Sequence, residues 1–496
     1  MKNYDVLILG SGISGLSSAL LLAQKGYRVA IIEKHFKAGG YLHSFKRHGI
    51  TFDTGAHYVG AMGEGQPFRV FLEHLEVFDK NLFVPLEPDG FDQMTFLDNE
   101  YLFKNGLENT IKSLSEKFPD EQLAIQKYFD LVQETAKEFP TYYFSGNFDQ
   151  TKVLDSFEMS VAEVVNSLTQ NQRLKSLFYA YCTLHGVNPK DAPWGPHAVI
   201  TDTLIQGAYA FRGHGDDLVN NYIREIKKYG GEIILSSEVK KIEILDNVVQ
   251  SVEVKTGELY KADWVISSMH PKITYELTHT QLPARLNNMQ ESVGVFALYL
   301  KLKNGLNLVP LRNYYFFTSD LGETFLDENN PLDPKFFYLC RPARHLEAES
   351  NEAPHVTIHI PCHIKYLKAW SDSKFGQRED SYKEFKLAVT KKIISELKKF
   401  HLEIELDESM LTTSSPLTNL HYNGSLEGSA YGIYHSKDNT GIRGIQPRTK
   451  IKNLILTGQN ISFPGIQSSA TSAIRSCASI IGAKNTLNEL KEKVAL

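Results

Sequence analysis

The chain opens on a compact apolar run at residues 4–9, broken only by Asp5, of the kind a strand shows when a parallel sheet buries both of its faces. Glycines stop that run. From Ser14 onward Leu16, Ala19, Leu20 and Ala23 recur at helical spacing, and Gly26 follows as a natural helix end. Residues 28–33 form a second apolar run that finishes on a carboxylate, Glu33. Strand, helix and strand in this order predict a βαβ unit and an α/β fold.

Beyond that unit the period changes. Between about residues 66 and 171, FRVFLEHL, LENTIKSLSEKF and EQLAIQKYFDLVQETAKEF carry apolar residues three and four apart, which predicts a helical layer separate from the opening sheet. Short β-branched runs bounded by turn residues then predict strands in GEIILSSEVKKIEI and NVVQSVEVKTGELYKADWVISS, followed by VGVFALYLKL, NYYFFTS and HVTIHIP. Residues 381–400 put Tyr382, Phe385, Val389, Ile393 and Leu397 on one helical face and six lysines elsewhere, which fits a solvated helix covering a sheet better than a membrane-binding helix. A strand at 453–457, a loop with Pro464 and Gly465, and a helix of small residues running to Gly482 close the pattern.

Composition narrows the function classes. A chain of 496 residues has room for two or three domains at roughly 100–200 residues each. A net charge of −5 gives no global attraction to nucleic acid, so nucleic acid is not an expected partner. Cys182, Cys340, Cys362 and Cys477 lie far apart without a CxxC pair and read as buried free thiols of a reducing cytosol, with no metal site expected. The opening segment reads as a strand rather than a signal peptide, because its apolar run is short and ends in glycines. No stretch reaches the roughly 18 apolar residues that span a bilayer. The expectation is a cytoplasmic protein whose contact with a membrane surface, if any, is peripheral.

The sharpest chemical signal is GSGISG at residues 10–15, between a predicted strand and a predicted helix. Gly10 suits a tight turn, Gly12 lets backbone approach a pyrophosphate, and Gly15 lets helix and strand pack closely. Ser11, Ile13 and Ser14 complete the loop and the first turn of a helix whose N–H groups and dipole favour an anion. Glu33, followed by Lys34, stands 18 residues past Gly15, where a carboxylate accepts from ribose hydroxyls and repels a 2′-phosphate. Gly39 and Gly40 then give bare backbone that would let a long dinucleotide pass, which argues for FAD over NAD, although an ordinary turn reads the same way. The C-terminal NLILTGQNISFPGIQSSATSAIRSCASIIG repeats the logic of strand, glycine and small-residue helix. Its positive N-terminal end suits negative charge developing on a reduced flavin, although a tight helix-packing contact reads the same way.

These segments carry a resemblance. GSGISG, Glu33, AGGY, FDTGAHYVG, GAYAFRGHGDDLVNNYI with GGEIILSSEVKKIEI, and the closing TGQN with FPGIQSSATSA are similar to the phytoene desaturase superfamily of flavoproteins. FDTGAHYVG and TSSPLTNLHYNGSLEGSAYG most resemble its retinol saturase and carotenoid isomerase branch. The resemblance implies a Rossmann-like FAD-binding domain of the glutathione-reductase and amine-oxidase type, assembled from residues 1–65, 206–285 and 440–496. It also implies an inserted α+β substrate-binding domain with a helical cap at 66–205 and 286–439. By the same resemblance Gly10, Ser11, Gly12, Ile13, Ser14, Gly15, Glu33, Lys34, Gly39, Gly40 and Tyr41 line the cofactor. Val239 offers its backbone to the adenine end, and Gly458, Gln459 and Ile466 meet the flavin. The chain departs from the family's usual pattern in having Gly213, His214 and Gly215 before the middle helix, Tyr41 where many members have arginine, and fewer glycines in the last motif.

The implied activity is oxidoreduction or isomerisation at C=C or CH–CH units of a lipophilic polyene such as a carotenoid or retinoid, drawing on an unidentified electron donor or acceptor. An amine oxidase and a flavin-free prenyl-binding protein of the Rab GDP-dissociation-inhibitor type are the competing readings. His57 and Tyr58 are the candidates to move a proton, and they read equally as a structural histidine and a packed tyrosine. His185 and His214 are weaker candidates. The aromatic groups 142–144 and 314–317 are candidates for a tunnel lining or simply for core.

Overall fold

The computed structural model describes residues 2–55, 57–144, 148–302, 306–343, 354–374 and 376–492. Its first sheet has seven strands. The opening strand Lys2–Leu9 lies between Val29–Ile32 and Leu259–Ser267, parallel to both, and Glu232–Ile234 adds in parallel outside Val29–Ile32. Leu454–Leu456 pairs in parallel with the end of Leu259–Ser267, while Val239–Leu245 and Val248–Val254 complete an antiparallel meander on its start. Val6, Leu7, Ile8 and Leu9 are fully buried, each worth about 1.5–3 kcal/mol of apolar transfer, so this strand anchors the sheet.

The opening helix Ile13–Gln24 is buried along nearly its whole length, because helices pack on more than one side of it. Helix Gly215–Lys228 reaches it through Ser17 Oγ and Tyr222 Oη at 3.0 Å, and helix Ile466–Ile481 through Cys477 Sγ on the Ser18 carbonyl at 3.8 Å. This crowding suits the small residues that the opening helix and Ile466–Ile481 carry. A Cβ at Gly15 would lie 2.1 Å from the Gly10 carbonyl oxygen, a backbone atom that cannot swing aside. Gly15→Ala is therefore expected to lower the stability of the flavin-free protein by about 1–3 kcal/mol, read as an earlier midpoint in chemical denaturation. An unchanged midpoint would show that strand and helix do not need this approach.

A second seven-stranded sheet runs in the order Thr412–Ser414, Gly294–Lys301, His355–Cys362, Phe336–Cys340, Asn313–Phe317, Asp92–Phe96 and Glu100–Phe103. Helix Asp380–Leu397 turns Tyr382, Val389, Ile393 and Leu397 into the core on one of its faces, as its periodicity predicts. On the other face helices Gln122–Lys137 and Trp194–Ile205 pack within a second core with Tyr315 and Phe317. The stretch 66–171 departs from the helical reading, since it contributes the strands Phe83–Pro85, Asp92–Phe96 and Glu100–Phe103. Asp92–Phe96 is held by parallel pairing with Asn313–Phe317, a partner more than 200 residues away that local periodicity does not register. A small sheet of Tyr58–Val59, Tyr209–Phe211 and Phe83–Pro85 lies between the two large ones in the chain path. No helix among the described residues is long and apolar enough to cross a membrane.

Candidate active site

A single cavity of about 1040 Å³ runs from the ends of the parallel strands to the second sheet. That volume is at the top of the range of small-molecule sites, enough for a dinucleotide and part of a second ligand. At one end its wall is Gly10, Gly12, Ile13 and Ser14, then Glu33, Lys34, Gly39, Gly40 and Tyr41, with Val239 beside them. Gln459 and Ile466 follow along the cleft, and His57 and Tyr58 line the same cavity toward the second sheet. Ser11, Gly15 and Gly458 stand behind the wall. Gly458 adopts φ +98° and packs so that a Cβ would meet Ser14 Oγ at 2.9 Å, so it supports the first turn instead of facing the cavity.

The nucleotide end is built by local chemistry. Gly12 caps the opening helix without a side-chain bond, and no acid lies in its first turn, so the helix itself leaves that positive end open to an anion. Gly39, at φ +118°, donates its N–H to the Ser11 carbonyl at 3.1 Å and brings the second glycine loop against the first. Glu33 is oriented by three donors, Ser11 N and Oγ and His35 N, each at 2.8 Å. Burial lowers the Lys34 ammonium, an effect that Glu33 and Glu238 oppose. Tyr41 donates or accepts with Ser425 Oγ at 2.9 Å, and burial raises its phenol.

The closing helix Ile466–Ile481 supplies a second uncapped N-terminus to the same cleft, led by Gly465 at φ +104°. Its second residue, Gln467, lines the cavity, and neither of its side-chain amide atoms has a partner among the described residues. An orphaned amide and two bare helix ends along one channel match a dinucleotide that brings its own acceptors and donors, so the residues fit FAD.

At the far end the wall comes from elements distant in sequence. Tyr315, Phe336, Tyr338 and His359 face His57 and Tyr58. His57 and His359 meet edge to face at 4.7 Å, burial lowers both imidazoles, and neither Nε2 has a partner among the described residues. Tyr58 Oη bonds Tyr315 Oη at 2.7 Å and Asp92 Oδ2 at 3.4 Å. Asp92, Tyr338 and His359 escape motif reading, whereas Tyr315 falls in the aromatic group 314–317 and Gln467 in the closing FPGIQSSATSA segment. The available signal for Asp92 was its place as the one carboxylate on the inward side of an alternating strand.

The weaker candidates have structural settings. His214 precedes helix Gly215–Lys228 and sits 3.2 Å from both Asp53 oxygens. His185 joins Cys182 and His197 in a buried group whose ligand atoms lie within 4.8 Å of one another, one donor fewer than a closed zinc site uses. All four cysteines are free and buried. Of the aromatic groups, Tyr142 and Tyr315 line the cavity and their neighbours pack into cores.

The family model described as flavin containing amine oxidoreductase matches residues 13–481, from the first helix to the end of the last long one. The chain belongs to this family. As a flavin-containing amine oxidoreductase by family it is an FAD-dependent oxidoreductase of α/β fold. It is similar to the all-trans-retinol 13,14-reductase of Rattus norvegicus, 27% identical across 99% of this chain and 87% of that one. It is also similar to the 4,4′-diapolycopene oxygenase of a Methylomonas species, 24% identical across 93% and 95% of the two chains. Among solved structures, an oxidoreductase from Methanosarcina mazei superposes with a TM-score of 0.63 at 16% identity, covering 96% of this chain and 99% of that one. A putrescine oxidase triple mutant gives 0.63 at 12% identity over 98% and 99%, so these likenesses speak for the fold alone.

Proposed function

We propose that this oxidoreductase acts on the C=C or CH–CH units of a lipophilic polyene of the retinoid or carotenoid class, with saturation of a C=C bond as its reaction. The observation that carries the reading is the distribution of charge in the cavity wall. Among the described residues its only carboxylates are Glu33 and Glu238, both at the nucleotide end, while the far end is aromatic and aliphatic. An ammonium substrate would be desolvated there without a counter-charge, which disfavours an amine. A conjugated hydrocarbon loses nothing by the same burial. The names of the relatives, a retinol reductase and a carotenoid oxygenase, support the same substrate class.

In this reading the FAD-binding domain comprises residues 1–65, 206–285 and 440–496, and residues 66–205 and 286–439 bind substrate. The diphosphate crosses Gly12 and the first turn of the opening helix, Glu33 takes the ribose hydroxyls, and Val239 borders the adenine. Gln459, Ile466 and Gln467 border the flavin. When bound, FAD exchanges two electrons and a hydrogen with the substrate, and an external donor restores it. The aromatic wall holds the polyene flat and keeps water out, and Tyr58, with His57 beside it, is positioned to supply a proton at its hydroxyl.

Anaerobic reduction of the flavin followed by addition of candidate polyenes tests the proposal. The expected result is flavin reoxidation together with a blue shift of the polyene absorbance as its conjugation shortens. Peroxide production from amines, with polyenes inert, would replace this reading by the amine-oxidase one.

A further inference from the structure

Behind the far wall of the cavity lies a carboxylate that the site as described does not use. Asp92 is fully buried and does not itself touch the cavity. Its Oδ2 accepts from Tyr181 Oη at 2.9 Å and from Tyr58 Oη at 3.4 Å, and its Oδ1 accepts from Asn313 Nδ2 at 3.0 Å. Tyr338 Oη donates to Asn313 Oδ1 at 3.1 Å, which fixes the amide so that its Nδ2 faces the acid. Of the three groups bonded to Asp92, Tyr58 alone lines the cavity. A chain of exchangeable protons therefore runs from a sealed carboxyl to one hydroxyl at the reaction space.

We infer that Asp92 is the internal proton store of this site, replacing through the Tyr58 hydroxyl the proton that Tyr58 gives to a substrate carbon. The inference rests on the polyene reading above. Bound FAD in its reduced form would supply a hydride, a proton with two electrons, to one carbon of the double bond. The other takes the proton of Tyr58, whose O–H electrons stay on oxygen. The Asp92 O–H proton moves to that oxygen, so the C=C becomes CH–CH and the negative charge rests on Asp92, where Tyr181 and Asn313 solvate it. Water returns the proton between turnovers.

The surroundings suit a store of this kind. Burial pushes the Asp92 carboxyl up to about 7, with the three hydrogen bonds pulling the other way. No cation contributes to that balance. Burial and Asp92 together keep Tyr58 well above the ordinary phenol range, so without a second proton source its phenolate would be a costly product. The groups facing this chain are the phenols of Tyr181, Tyr315, Tyr338 and Tyr431 and the Cys340 thiol, all raised by burial, and the imidazoles of His57 and His359, lowered by it. All of these are neutral near pH 7, which leaves Asp92 as the group that titrates there.

The sign follows. A store must be protonated to donate, so turnover of reduced holoprotein with a polyene falls as pH rises through about 7, approaching tenfold per unit. In Asp92→Asn the rate drops about 10²-fold and loses that slope, with flavin content unchanged. Tyr58→Phe, which severs the link without touching Asp92, removes the same slope. Infrared spectra of the oxidised holoprotein read Asp92 without turnover. The wild type should show a protonated-carboxyl band that fades through about pH 7 and is missing from the Asp92→Asn spectrum, while that of Asp202, raised by burial to about 6, persists. A wild-type slope retained in both variants, or a carboxyl band that Asp92→Asn leaves untouched, overturns the inference. Failure of every polyene to reoxidise the wild-type flavin would instead defeat the substrate reading, with the infrared arm still deciding whether Asp92 holds a proton.

Discussion

Gly12→Val is expected to fold and to carry no FAD. The physical reason is an asymmetry within one glycine motif. A Cβ at position 12 meets nothing within 4 Å, and the residue sits at φ −60°, which every amino acid adopts. The added Cβ itself meets no protein atom within 4 Å, and the helix cost is a poorer N-cap, about 1 kcal/mol. The valine methyls instead project into the cleft where the diphosphate must approach backbone N–H groups, and that approach is lost. Purified variant protein should lack the visible flavin absorbance. Its circular dichroism should match that of the wild type, and its melting temperature should be compared with flavin-free wild type, because bound FAD itself stabilises. A yellow, stoichiometrically loaded Gly12→Val protein would mean that the diphosphate lies elsewhere, and the positions proposed for Glu33 and Val239 would fall with it.

The same asymmetry separates what is legible in the sequence from what is not. The nucleotide end is legible because its chemistry is local, with a strand, a turn without side chains, a helix and a terminal carboxylate all within residues 2–33. The far end is not local. Tyr58, Asp92 and Tyr315 meet only because Asp92–Phe96 runs parallel to Asn313–Phe317 across more than 200 residues, and no short-range pattern encodes that pairing. Strand period also divides the aromatic run that composition leaves undivided. Tyr315 reaches the cavity, whereas Tyr314 and Phe316, pointing the opposite way, join the core with helix Asp380–Leu397. Gly458 adds a contact its motif does not announce, since a Cβ there would lie 2.9 Å from Ser14 Oγ of the opening helix.

Of the two residues that sequence offers as proton movers, the geometry favours Tyr58, and Tyr58→Phe is expected to slow polyene turnover about 10²–10⁴-fold. His57 has the poorer credentials. Burial holds its imidazole neutral, and its Nε2 has no partner among the described residues from which to regain a proton. Tyr58 has two such partners, Tyr315 at 2.7 Å and Asp92 at 3.4 Å. Phenylalanine keeps the ring, so the wall and the flavin cleft survive, and the loss should appear in kcat with KM and FAD content close to wild type. A His57→Gln variant should lose less than Tyr58→Phe under the same conditions. If the order is reversed, the histidine carries the proton and the hydroxyl network behind Tyr58 serves to hold the wall in shape. Equal and small losses in both would mean that the carbon takes its proton from water.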